Sequence, residues 1–333
     1  MASFTRFGND LYTGARSIDF VGRRRLWYLI AALAILISIV VPFLRGGFHF
    51  GIEFTGGSEY TISNPASLDQ ATAQQAVHSV AGPTVDVRPT VVGGHSLNIQ
   101  TSQTSSDTSE RVRVALAKAY DVPVTDVTFS YIGATWGSDI TGSAVRALVI
   151  FLVLVAIVMA LYFRTWKMAG AGLIALFHDL ILTAGIYGIV GFEVTPAAVI
   201  GFLTILGYSL YDTVVVFDKV RENTSRLTPA SPRTFAETVN LAVNQTLVRS
   251  INTSVVALLP IAGILFIGAL LLGAGTLRDI SLALFIGVLV GTYSTIFIAA
   301  PLYTTFRSTE PGIRMRTDRT LSDRNRSRDR ELA

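Results

Sequence analysis

Six times along this chain the sequence runs for about twenty residues almost without charge, long enough to cross the hydrocarbon of a bilayer. The runs fall at 26–44, 144–163, 168–190, 196–217, 250–272 and 278–303. No other feature narrows the fold as far. A lone segment in lipid must satisfy its own backbone polar groups, and the helix is the form that does so. Composition agrees: half of the 333 residues are hydrophobic and only 15% are charged, against about 25% in an ordinary soluble domain. The chain therefore reads as a polytopic α-helical membrane protein with six transmembrane helices.

Lysine and arginine set the expected orientation. Residues 1–25 hold five arginines, the loop 164–167 holds Arg164 and Lys167, residues 218–249 hold five basic residues and the stretch from 304 holds eight arginines. The loop 45–140 holds five basic residues against nine acidic ones, and 191–195 holds none. Alternation places both termini and the basic loops in the cytoplasm, with Arg278 the one exception. The net charge of +4 is thus a topology signal and not a nucleic-acid footprint. The first span ends VPFLRGG without a small-x-small cleavage site, so it reads as an uncleaved anchor.

Between the first two spans, residues 45–143 read as one extracytoplasmic α+β domain. GSEYTIS (57–63) alternates like a strand. Residues 67–82 read as a helix capped by Ser67 and ended by Gly82. The alternating runs 84–92 and 95–102 form a hairpin over Gly93 and Gly94. Residues 108–121 place Val112, Leu116 and Ala119 on one helical face, and 125–133 alternates again. The order β-α-β-β-α-β is ferredoxin-like. Further on, 228–247 has Phe235, Val239, Ala242 and Val243 at helical spacing and reads as an amphipathic helix on the inner membrane surface. The basic tail 304–333 is expected to be disordered, touching anionic lipid or ribosome or simply solvated.

The chain has no cysteine, and its four histidines (49, 78, 95 and 178) show no ligand spacing. No disulfide, thiolate nucleophile, metal, cofactor or catalytic residue is expected. What remains is polarity inside the spans. Asp212 interrupts GYSLYDTVVVF, Asp179 follows His178 in ALFHD, Arg249 opens RSINTS and GTYSTIF lies in the sixth span. A charge at the bilayer centre costs about 2.5–3.5 kcal/mol, so such groups face the bundle interior, pair, or line a water path. A carboxylate pulled toward neutrality by burial and toward ionisation by an arginine changes protonation when its surroundings move. Asp212 and Arg249 sit on spans joined by a basic loop and are expected close enough to meet. Arg249 reads equally as an interfacial anchor, and His178 with Asp179 as a structural pair. Tyr211, Ser209, Thr213, Asn252 and Thr253 beside them serve either a relay or the structure.

Several long motifs then carry a resemblance that covers about residues 20–305: FGIEFTGG (50–57), IGATWGSDIT (132–141), ALFHD (175–179), GYSLYDTVVVFDKVREN (207–223), RSINTS (249–254) and GTYSTIFIAAPL (291–302). In this order the chain resembles the SecD/SecF family of bacterial protein-export membrane proteins, on its SecF side. The resemblance implies one six-span half of a twelve-span unit related to resistance-nodulation-division transporters, with SecD as the other half. It implies a multi-pass protein of the cytoplasmic membrane, using protons as coupling ion to drive late steps of export. The implied partners are the Sec translocation channel, its ATPase motor, the unfolded exported polypeptide and membrane lipids. The family's relay aspartate falls on Asp212 and its proton-linked arginine on Arg249; its H-D motif matches His178 and Asp179. The chain departs from the family at Tyr211, commonly Asn, and at Glu53, commonly Asp. Two rival readings of the same sequence are a passive scaffold for SecD and the channel, and half of a small-molecule exporter.

Overall fold

Apolar runs punctuated by capping residues produce long helices. The computed structural model describes residues 2–92, 95–163, 165–228, 231–269 and 275–332. A short helix, α1 (Ala2–Thr13), precedes α2 (Arg24–Leu44), the first span. The others are α6 (Ala134–Phe163), α7 (Trp166–Val190), α8 (Pro196–Ser225), α9 (Phe235–Ala262) and α10 (Gly275–Ser294). A π-helical segment, Thr295–Ala299, carries α10 into α11 (Ala300–Ser308). Among the described residues, six helices are long and apolar enough to cross a membrane. Leu33 on α2, Leu161 on α6 and Val256 on α9 turn outward and exposed, as a lipid-facing or partner-facing surface requires.

Two pairs of helices fit tightly through small residues. A Cβ on Gly201 of α8 would lie 2.6 Å from Ala283, one on Gly287 of α10 would lie 2.1 Å from Ile205, and one on Gly291 would lie 3.0 Å from Ser209. The α8–α10 seam therefore repeats at every turn, the packing that small residues permit between membrane helices. Gly185 and Gly188 of α7 admit Ser38 and Pro42 of α2 in the same way.

Between α2 and α6 lie β1 (His49–Phe50), α3 (Ile52–Thr55), β2 (Gly57–Ser63), α4 (Gln70–Ala81), β3 (Val87–Val92), β4 (Ser96–Thr101), α5 (Ser106–Ala119) and β5 (Val127–Ile132). The four-stranded sheet has the order β3-β4-β2-β5, all antiparallel. That is the expected split βαβ arrangement. One sheet face, with Tyr60, Ile62, Leu97, Ile99 and Val127, buries against Val77 of α4 and Val112 and Leu116 of α5. Gly57 sits at φ +142, where a Cβ would strike the Thr101 carbonyl at 2.3 Å, so the last glycine of FGIEFTGG lets β2 start against β4. A Cβ on Gly137 of α6 would meet the Phe54 carbonyl at 2.7 Å. The two motifs flanking the domain thus form its root. A strand β6 (Glu193–Val194), between α7 and α8, pairs in parallel with β1.

Several expectations need correction. Asp69, not Ser67, caps α4, accepting from the backbone N–H of Ala71 and Thr72; a carboxylate offers two acceptors where Ser67 offers one. Helix α5 starts earlier than expected because Ser105 caps it, and Ala119 is exposed while Ala117 and Tyr120 fill the core. Gly93, Gly94 and Arg164 lie outside the described residues. The stretch 228–247 is not a separate surface helix: α9 starts at Phe235 behind a Thr234–Glu237 capping box and continues unbroken into the fifth span. Its apolar face packs into the bundle core instead of lipid. Its polar face binds the chain's own N-terminal segment. Asn244 Oδ1 accepts from the Ile18 N–H (2.8 Å) and Asn240 Oδ1 from those of Phe20 (2.9 Å) and Val21 (3.1 Å). The tail is helical, not disordered, over α12 (Pro311–Leu332). Arg324 ties it by two 2.9 Å bonds to the Glu237 carboxylate, and Arg316 by one to the Thr228 carbonyl.

Candidate functional site

Helix α8 buries one stripe, which runs through Ile205, Ser209, Asp212 and Val216. Asp212 lies on that stripe, so the helix period turns its carboxylate into the bundle, where it is 4% exposed. Ser250 of α9 donates to Asp212 Oδ1 at 2.8 Å. Asp212 Oδ2 is buried without a hydrogen-bond partner among the described residues.

One turn earlier on the same stripe, Ser209 donates to Asp179 Oδ2 of α7 at 2.5 Å. Asp179 Oδ1 lies 3.2 Å from His178 Nδ1, and both side chains are buried. The His178 ring lies 6.1 Å from that of Tyr293; His178 Nε2 and the Tyr293 hydroxyl are each buried without a hydrogen-bond partner among the described residues. Thr213 pairs with Thr295 at 3.0 Å. Two carboxylates on successive turns of contact with α8 therefore have different surroundings.

Arg249 is exposed and makes no ion pair with Asp212 within 4 Å. It reaches the Tyr211 hydroxyl at 3.4 Å on the outer face of α8. The expected direct contact between Asp212 and Arg249 is thus replaced by Ser250 on one side and Tyr211 on the other. Asn252 is exposed and Thr253 half-buried, and neither side chain makes a hydrogen bond among the described residues.

The sequence reading missed Ser250 and a hydroxyl chain beside it. Tyr208 donates to Ser254 at 3.2 Å, and Ser254 lies 2.6 Å from Thr292. The signal was in the motif already quoted. Leu247, Ser250 and Ser254 recur at helical spacing and are all buried, whereas Asn252 falls on the exposed side and Thr253 on the flank between. Hydroxyls both donate and accept, so such a chain can pass a proton without creating a fixed charge.

A second group of acids lies at the end of the spans nearest the sheet domain, where β1 pairs with β6. Glu53, Glu59, Glu193 and Asp279 line a cavity of about 420 Å³ under the sheet. Burial pushes Glu193 up to about 7, helped by the neighbouring carboxylates of Glu53, Glu59 and Asp279. Among the described residues no group of three His, Asp or Glu side chains could hold a metal ion.

Three comparisons bear on this geometry. The family model described as protein export membrane protein SecD/SecF, C-terminal, matches residues 112–309. A protein translocase subunit SecF of Streptomyces coelicolor is 45% identical over 324 residues, spanning 97% of this chain and 86% of the relative. One of Mycobacterium tuberculosis is 43% identical over 329 residues, spanning 96% and 74%. The crystal structure of SecDF from Thermus thermophilus, described as a translocon-associated membrane protein, superposes with a TM-score of 0.74 at 28% identity. The match covers 88% of this chain but 39% of that longer one. The chain belongs to the SecD/SecF family of protein-export membrane proteins.

Proposed function

We propose that this chain is the SecF half of an accessory unit of the Sec translocase, completed by SecD, that uses the proton motive force in late steps of export. The supporting observation is Asp212: one oxygen is held by Ser250 and the other, buried, has no partner. A proton can join the free oxygen without disturbing the bond that fixes the side chain. The Thermus relative, a single chain named SecDF, supports SecD as the other half. The Lys and Arg distribution supports both termini in the cytoplasm, because α1, the α7 start, the α8 end and α12 gather at the end of the spans opposite the sheet domain.

In this reading Asp212 takes a proton from the outer side, loses its attraction for Arg249, and α8 and α9 repack. The sheet domain, rooted on α2 and α6, moves with them and acts on the polypeptide that the channel and its ATPase have delivered. Each charge crossing 100 mV supplies about 2.3 kcal/mol, enough to bias a domain motion. The test is gradient-dependent completion of export in membrane vesicles, with wild type or Asp212→Asn paired with SecD at equal levels. Loss of the gradient-dependent step with normal assembly is expected. Normal export under the gradient makes Asp212 structural and rejects the relay.

A further inference from the structure

At the basic end of the bundle the ends of several spans enclose a cavity of about 300 Å³, away from both carboxylate centres. Thr165 stands at the start of α7, Arg221, Thr224 and Ser225 at the end of α8, Arg307 on α11 and Arg316 on α12. No carboxylate lines the cavity among the described residues. Three guanidinium groups thus share one small space without an acid in its wall.

The nearest acids are already committed. Glu310 lies 2.9 Å from Arg307 Nε and 3.0 Å from Lys167 Nζ. Glu222 pairs with Lys219 and Arg226. Arg221 has no ion-pair or hydrogen-bond partner for its guanidinium among the described residues. Two donors that line the cavity, Arg316 Nε and Thr165 Oγ1, are buried without a hydrogen bond among the described residues. Buried donors of this kind cost free energy unless something accepts from them. Thr165 also occupies the N-cap of α7 in an extended conformation, yet its side chain caps nothing. The N-terminus of a 25-residue helix is therefore left open toward the same cavity.

We propose that this cavity binds a phosphate group, and that the phosphate is the headgroup of an anionic phospholipid in the leaflet at the basic end. Arginine forks and a helix N-terminus match the oxygens of a phosphodiester. The position favours lipid over a soluble phosphate. The remaining wall is apolar, with Phe163, Met168, Phe235 and Ile313. Trp166, 77% exposed beside the cavity, marks the headgroup level where tryptophan concentrates. Leu161, Val158 and Leu154 run down the exposed face of α6 from the same place, a path for an acyl chain. In the proposed orientation this is the cytoplasmic leaflet.

Native mass spectrometry of the full chain in detergent, offered phosphatidylglycerol or phosphatidylcholine, tests this. The chain is expected to retain one phosphatidylglycerol at least about tenfold over phosphatidylcholine. Arg221→Gln with Arg316→Gln should abolish that preference, and Arg326→Gln, exposed on α12, should keep it. Equal retention of both lipids, or a preference that survives the double variant, overturns the site. Stabilisation by millimolar inorganic phosphate with no lipid preference assigns the cavity to a soluble phosphate and overturns the lipid. If the double variant loses its helical circular dichroism, Thr165→Ala is read instead. Weaker phosphatidylglycerol retention is then expected, and unchanged retention overturns the proposal.

Discussion

Asp179 and Asp212 are both buried, the first against a stripe of α8 and the second on it, yet they differ in what they leave open. Asp179 has both oxygens engaged, one by Ser209 and one by His178. Asp212 has one engaged, by Ser250, and one free. Desolvating a carboxylate is costly in either place, and only the first has a full set of partners to offset it. The difference separates a carboxylate that holds α7 and α8 in register from one whose unfilled acceptor is available to a proton. Sequence position does not make this distinction, since each acid stands in a quoted motif.

The sharpest way to break the comparison is to neutralise each acid at constant shape. Asp212→Asn is expected to cut gradient-driven export in vesicles by at least about tenfold, the scale of losing a proton-transfer group. Asp179→Asn should retain most of that export because an amide can still bond Ser209. Equal losses would mean that the two centres work as one. Removing the side chains reverses the ranking. Asp179→Ala strands Ser209 and His178 and should lower stability by about 2–6 kcal/mol, at about 1–3 kcal/mol for each buried group left unpaired. Asp212→Ala strands only Ser250 and should cost less; unfolding in mixed micelles measures both.

The serines sharpen the contrast further. Ser250→Ala should slow gradient-driven export several-fold and Ser250→Thr should restore it, with assembly unchanged. Ser209→Ala should instead move stability and leave the gradient dependence intact. An effect of Ser209→Ala on export alone would contradict the assignment of Asp179 to structure.

Glu193, outside the spans, supplies the smallest effect and a control. Its carboxyl is raised from 4.5 to about 7, so the packed state holds the proton more tightly than an open one does. The β1–β6 contact is therefore firmest below about pH 4.5 and loosens as pH rises through 7. Hydrogen exchange at the Gly51 N–H, which donates to the Val194 carbonyl at 3.0 Å, should lose roughly threefold protection between pH 5 and 8 after correction for intrinsic rates. The change is kept small because the Gly51 N–H also exchanges through local opening that does not depend on the Glu193 proton. Protection that rises with pH would place the ionised form in the packed state.

Periodicity made the spans and the sheet domain legible, because lipid and a one-sided core each impose a repeat on the sequence. Asp212 was legible for a related reason: a charge in an apolar run has no inexpensive explanation. Ser250 was not, since serines are common on helix faces and only a neighbouring helix decides which one meets a carboxylate. The helical repeat of Phe235, Val239 and Val243 was read correctly, but an amphipathic face does not say whether lipid or protein covers it. Asn240 and Asn244 gave no warning that they would hold residues 18–21, because that contact spans more than two hundred positions. The tail's arginines suggested a solvated coil, and the acceptors that anchor α12, Glu237 and the Thr228 carbonyl, lie far away in sequence.

The α8–α10 seam also limits what kind of machine this bundle can be. Every turn of it places a side chain of one helix where the other has no room for a methyl group. Sliding α8 along α10 by one residue would drive Ile205 off Gly287 and onto a bulkier neighbour. The pair cannot telescope; it can only travel as a single strut. Because Ser209 sits in that seam and holds Asp179, α7 is fastened to the strut as well. A stroke of the proposed kind would have its compliant joint on the α9 side, where side-chain hydrogen bonds from Ser250, Ser254 and Arg249, and no glycine seam, join α9 to α8.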